Sequence, residues 1–212
     1  MDITTLQNNL DIIWIMIAAS LVMFMQAGFT ALESGLTRSK NSINVAMKNL
    51  LDFVLAVLIF WLFGYGIMFG DSWEGFLGTS LFALNGMSEA KDYAVFAFQV
   101  TFAGTAVTIV SGAIAERMRF SAYAIVAVII IALVYPVSGH WIWSSDGWLA
   151  QKGFVDFAGS TVVHSLGGWV GLAGAMVLGA RSGRFDKNGK ANQFNGQSLV
   201  MAVVGVMILW FG

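Results

Sequence analysis

Charged side chains are absent from five long stretches of this chain, residues 12–32, 53–70, 93–115, 120–145 and 157–180. A helix rises about 1.5 Å per residue, so roughly 20 apolar residues cross the ~30 Å hydrocarbon core of a bilayer. All five stretches reach or approach that length. Hydrocarbon offers no hydrogen-bond partners, so the backbone must satisfy itself, as a helix does. A sixth uncharged stretch, 191–212, stays polar until Gln197. It ends on Trp210, Phe211 and Gly212 without a polar exit, so the expectation is a membrane helix cut short within a longer protein. The expected fold class is all-α and integral to a membrane.

Composition agrees. Of 212 residues, 58% are hydrophobic and 11% charged, and the mean hydropathy is +0.76. Soluble domains carry about 25% charged residues. A formal net charge of −1 leaves no basic field for nucleic acid. The absence of cysteine excludes disulfides, thiolate metal sites and cysteine nucleophiles. No basic residue precedes the first apolar run, which is too long for a signal-peptide core. Glycines number 24 against one proline, as suits close helix contacts in lipid. Gly66/Gly70 and Gly167/Gly171 are small-xxx-small pairs, and Pro136 with Gly139 is expected to break the fourth run.

Loop charges set the orientation. With the N-terminus outside, the inner segments hold Arg38, Lys40, Lys48, Arg117, Arg119, Arg181, Arg184, Lys187 and Lys190, and the outer ones only Lys91 and Lys152. Basic residues concentrate on the cytoplasmic side, so the N-terminus is expected outside, in a multi-pass protein of the cell (inner or plasma) membrane. The outer segments hold Trp73, Trp141, Trp143 and Trp148, an interfacial belt. Glu33, Asp52 and Glu116 are expected at inner helix ends, capping them or pairing with Arg38, Lys48 and Arg119.

Within the fifth run, DFAGSTVVH (156–164) places a carboxylate at the start and an imidazole eight residues later. On one continuous helix His164 would lie about 12 Å deeper than Asp156. An ionisable residue at that depth marks a pathway by default. Asp156 also reads as an N-cap facing the positive end of the helix dipole. In the third run Phe98 and Phe102 are four apart and share a face that continues through Thr105, Ile109 and Gly112, with Trp143 at the same level. Such a pair reads as packing, or as a π surface for a weakly hydrated cation. No GxSxG, HExxH or phosphate loop occurs, and no Ser or Thr has a nearby base. Neither an enzyme nor a cofactor or metal site is expected.

These stretches resemble the ammonium transporter family, the Amt/Mep/Rh group. The resemblance covers essentially all 212 residues. It is carried in order by MQAGFTALESGLTRSKNS (25–42), FQVTFAGTAVTIVSGAIAERMRF (98–120) and DFAGSTVVH (156–164), with WFG at the end resembling the start of the family's sixth helix. It implies an Amt-type fold of eleven transmembrane helices in two inverted five-helix repeats, with a conduction path between them, assembled as a homotrimer. Residues 1–212 would supply helices 1–5 and the start of helix 6, the N-terminal half of the membrane domain. It implies ammonium or ammonia transport in nitrogen metabolism, with Phe98, Phe102 and Trp143 as the outer recruitment site. Phe102 would be one of two gate phenylalanines, Asp156 an orienting carboxylate below the site, and His164 the first of two pore histidines. A PII-type regulatory protein is an implied partner. The alternative is an ammonium sensor in which the same module is fused to a cytoplasmic signalling domain, a version that residues 38–53 resemble. A Rh-type gas channel is disfavoured by Trp143.

Overall fold

The computed structural model describes residues 2–212. Five helices are long and apolar enough to cross a membrane: α1 (Ile3–Leu36), α2 (Ser39–Phe69), α3 (Ala90–Ile114), α4 (Phe120–Trp143) and α5 (Ser160–Leu178). A shorter apolar helix, α6 (Leu199–Phe211), follows. Each expected span corresponds to one helix. A two-stranded antiparallel hairpin, β1 (Ser72–Trp73) and β2 (Leu77–Gly78), lies between α2 and α3. Successive spans alternate direction. The end carrying the hairpin, Trp143 and Asp156 is called outer, and the end carrying Arg38, Glu116 and Arg181 inner.

Residues that would be costly at a water-facing surface cover the outside. Trp14, Ile17, Phe24, Leu58, Ile125, Met176 and Val177 are exposed, which suits lipid or a further membrane segment rather than water. The bundle is organised around α3. Its middle is built of small and β-branched residues, Ala103, Gly104, Thr105, Ala106, Val107 and Thr108, all buried. Small side chains let neighbouring backbones approach where lipid supplies no hydrophobic drive for association. Gly167 and Gly171 of α5 exploit this: a Cβ on either would lie 2.9 Å from Ala106 O or 2.8 Å from Ala113 Cβ. Gly66 and Gly70 instead pack on Ser80 of the outer hairpin region. Helix α6 lies against α1, where a Cβ on Gly35 would fall 2.6 Å from Ser198 O.

Two expectations are corrected. Pro136 and Gly139 do not break α4, which runs unbroken through both. A π-helical turn at Ile130–Val134 sits just before Pro136 and absorbs the missing N–H and the ring clash. Asp52 is not at a helix end, and Glu33, which does lie in the last turn of α1, is held by Asn49 and Ser111 rather than by a basic residue. Helix α2 starts at Ser39, so Asp52 lies well inside it and is wholly buried. The Asp52 carboxylate accepts the Tyr123 hydroxyl at 2.6 Å and the Thr108 hydroxyl at 3.3 Å. Thr108 also bonds Gln26 of α1, and Glu33 accepts from Asn49 at 3.0 Å and Ser111 at 3.1 Å. Lys48, also wholly buried, reaches the Met118 carbonyl at 3.2 Å and stands 5.0 Å from the Tyr123 ring centroid. These side chains tie α1, α2, α3 and α4 together through polar contacts that lipid cannot replace.

Glu116 matches its expectation more closely. At the inner turn between α3 and α4 it receives Arg38 Nε at 2.9 Å and Asn41 at 2.8 Å, with Arg181 3.5 Å away rather than Arg119.

Candidate functional site

At the outer end, α3, the end of α4 and the approach to α5 enclose a recess of about 580 Å³. Phe98 and Phe102, four residues apart on α3, present their rings edge to face with centroids 4.9 Å apart. The Trp143 ring lies 6.1 Å from Phe102, again nearly perpendicular. Phe69, Gln99, Asp156, Phe157 and Ala158 complete most of the wall. The three rings of the expected outer aromatic group are therefore brought together from two helices, α3 and the end of α4.

Asp156 fixes this geometry with both its ends. Its main-chain carbonyl accepts the Trp143 indole N–H at 2.7 Å. Its carboxylate accepts four main-chain N–H groups, from Gly159, Ser160, Thr161 and Val162, at 2.8–3.0 Å, and the Ser160 hydroxyl at 3.2 Å. Burial pushes the Asp156 carboxyl up, but the N–H groups of Val162, Thr161 and Gly159 and the Ser160 hydroxyl outweigh it and hold the group below the usual carboxylate range. A carboxylate this occupied aims its lone pairs into the start of α5, not into the recess.

Asp156 is not the N-cap residue that the spacing suggests. Gly159 is, in a left-handed conformation at φ 92°, and α5 starts only at Ser160 with a π-helical stretch, Ser160–Ser165. The chain turns here, and the uninterrupted helix behind the 12 Å estimate does not exist. Any side chain at 159 would meet this φ strain, and its Cβ would lie 2.7 Å from Val163 and 3.3 Å from the Trp143 ring.

His164 follows on α5. The contact of Gly167 with Ala106 and Ile109 fixes the level of the two helices. His164, one turn outward of Gly167, therefore stands just inward of Phe102. Its Nδ1 lies 3.3 Å from the Gly159 carbonyl. A carbonyl only accepts, so Nδ1 is the donor in this contact, and Nε2 makes no hydrogen bond among the described residues. The imidazole is exposed in this chain. His140 does not complement it. That residue is fully buried, with Nδ1 2.9 Å from Met68 O and Nε2 2.8 Å from the Ser72 hydroxyl.

One site feature carried only a faint sequence signal. Gln99 stands between the two phenylalanines as a polar residue in an apolar run. Its Oε1 is enclosed and has no hydrogen-bond partner among the described residues. It is the unsatisfied acceptor of the recess wall.

Residues 13–212 match the model of the Ammonium Transporter Family. A relative from Synechocystis sp. is 50% identical over 215 residues, covering 97% of this chain and 40% of its own length. The ammonium transporter Amt2 of Archaeoglobus fulgidus is 44% identical, with 98% of this chain and 47% of that protein covered. Among solved structures, one titled "Sensor Amt Protein" superposes with a TM-score of 0.94 at 41% identity, covering 99% of this chain and 54% of that one. Candida albicans Mep2 superposes with a TM-score of 0.84 at 30% identity, covering 95% of this chain and 46% of that one. The chain thus spans about half the length of these proteins or less. Its five spans have the Amt/Mep fold, and the chain belongs to the ammonium transporter family.

Proposed function

We propose that this chain is the N-terminal half of a membrane domain that conducts ammonium or ammonia across the plasma membrane, N-terminus outside. The observation that carries the reading is the outer recess: three aromatic rings beside a carboxylate whose lone pairs are already occupied. A cation there meets π faces, not an ion pair. Contacts of this kind contribute about 0.5–2 kcal/mol each, enough to recruit a weakly hydrated cation and weak enough to release it. The similarity to Archaeoglobus Amt2 supports ammonium as that cation.

A bare cation cannot enter hydrocarbon without a cost of tens of kcal/mol. Ammonium gives up its proton near Phe102, and neutral ammonia moves inward past His164. The imidazole, exposed and with only Nδ1 engaged, relays the proton in concert with a group from the remainder of the protein. Loop charge keeps its sign after Lys48 is moved from the inner loop into α2, which supports the orientation. A homotrimer and a PII-type partner belong to this reading as family expectations.

The test is methylammonium uptake by the intact protein carrying His164→Ala. Uptake is expected to fall about 100-fold or to lose selectivity, by analogy with loss of a general acid–base group. Unchanged, selective uptake would remove His164 from the path. A second reading, an ammonium sensor with a fused signalling domain, is favoured by the likeness to the structure titled "Sensor Amt Protein". In that case the intact protein binds methylammonium at the same recess but shows little flux.

A further inference from the structure

The inner end holds a basic recess that the transport reading does not use. Arg117, from the turn after α3, and Arg181 and Arg184, from the segment after α5, line a cavity of about 540 Å³ together with Phe185 and Phe194. No carboxylate is among its lining residues. Part of this arrangement is structural. Arg117 Nη1 donates to the Gly179 carbonyl at the end of α5 at 3.1 Å, and Arg184 Nη1 donates to the Asn192 carbonyl. Phe194 is held between two guanidinium groups, with its ring centroid 3.8 Å from Arg38 Cζ and 5.9 Å from Arg184 Cζ.

The structural role leaves a remainder. Arg117 Nε and Arg181 Nε are enclosed without an acceptor. The carboxylate that meets Arg181, Glu116, already holds Arg38 at 2.9 Å and Asn41 at 2.8 Å, and reaches Arg181 only at 3.5 Å. Guanidinium groups donate and never accept, so three of them around one polar cavity leave donors and positive charge in excess. Their planar forks match the oxygens of a phosphate, which accepts two parallel N–H bonds from each.

We propose that this recess binds a phosphate group, either free phosphate or the headgroup of an anionic phospholipid. The test uses the intact protein in neutral detergent. Inorganic phosphate binding is followed by calorimetry, and retention of phosphatidic acid in phosphatidylcholine nanodiscs by native mass spectrometry. At least one probe is expected to bind. Arg184→Gln is expected to weaken that binding about tenfold, the effect of losing one charge-assisted hydrogen-bonding group. Arg184→Lys, which keeps the charge without the fork, should weaken it less and guards against misfolding of the first variant. Replacing Lys187 and Lys190, basic but outside the recess, by Gln should leave binding unchanged. Phosphate binding in detergent identifies a soluble ligand, and retention of phosphatidic acid without phosphate binding identifies a lipid. Failure of both probes, or equal losses in R184Q and the double lysine variant, would overturn the assignment.

Discussion

At the outer recess the carboxylate of Asp156 is held by its own chain. In the inner half of the bundle that of Asp52 is held by its neighbours. Asp156 accepts N–H groups from residues three to six positions ahead of it, so a short loop and one turn of helix suffice. Asp52 depends on Tyr123 and Thr108, 71 and 56 residues away. One carboxylate shapes a mouth while leaving it free of an ion pair. The other binds helices together. Charge in a membrane protein thus has two structural fates before function is considered, and the hydrogen-bond partners decide between them.

The comparison is most easily broken by deletion. Asp52→Leu strands the Tyr123 hydroxyl and takes one acceptor from Thr108, and should cost about 2–3 kcal/mol of stability, as when a buried donor loses its partner. Asp52→Asn keeps an acceptor and should cost about 1–2 kcal/mol. Unfolding midpoints of the intact protein in detergent measure both. If D52L is no worse than D52N, the cluster does not hold the helices together.

Asp156→Asn should cost less than D52L, about 1–2 kcal/mol, because the chain can recap locally. It also carries a pH signature. The folded Asp156 carboxyl lies below the usual range, so its contribution is complete above about pH 4 and is lost only as pH falls through the lowered folded value. Stability measured from pH 7 down to pH 3 should therefore show an acid-side decline that D156N reduces. Identical slopes in the two proteins would mean that the cap contributes nothing.

The smallest effect expected is on recognition alone. Trp143→Leu removes one π face from the recess and should raise the half-saturation concentration for methylammonium about 2- to 30-fold, with little change in maximal rate. An unaltered half-saturation would separate the aromatic group from cation capture and leave Trp143 as a packing residue on Phe102 and Asp156.

Much of the fold was legible because lipid imposes one rule on every span. An uncharged run long enough to cross must be a helix, and residues 12–32, 93–115 and 157–180 each became one. The aromatic group was legible in part. Phe98 and Phe102 share a face by helical arithmetic, and topology puts Trp143, 41 positions beyond Phe102, at their level, but only the fold brings its ring against Phe102. Asp52 misled because charge was taken to end a span. A helix begun at Ser39 carries it inward, and whether that is tolerable depends on Tyr123 and Thr108, which no local pattern reveals. Pro136 misled for a related reason: a π turn ahead of it is a packing outcome that propensity does not encode.

The sequence by itself determined that this chain crosses a membrane several times, which end carries the basic loops, and which short segments carry chemistry, since hydropathy, charge and helical period are properties of neighbours along the chain. Only the tertiary structure decided that Asp156 spends its lone pairs on the start of α5, that Gln99 is left with an enclosed, unsatisfied acceptor beside the rings, that Asp52 and Lys48 are buried, and that three arginines from two loops face one cavity. Those outcomes depend on which distant groups satisfy each polar atom, and in a medium without water the folded neighbours supply that answer.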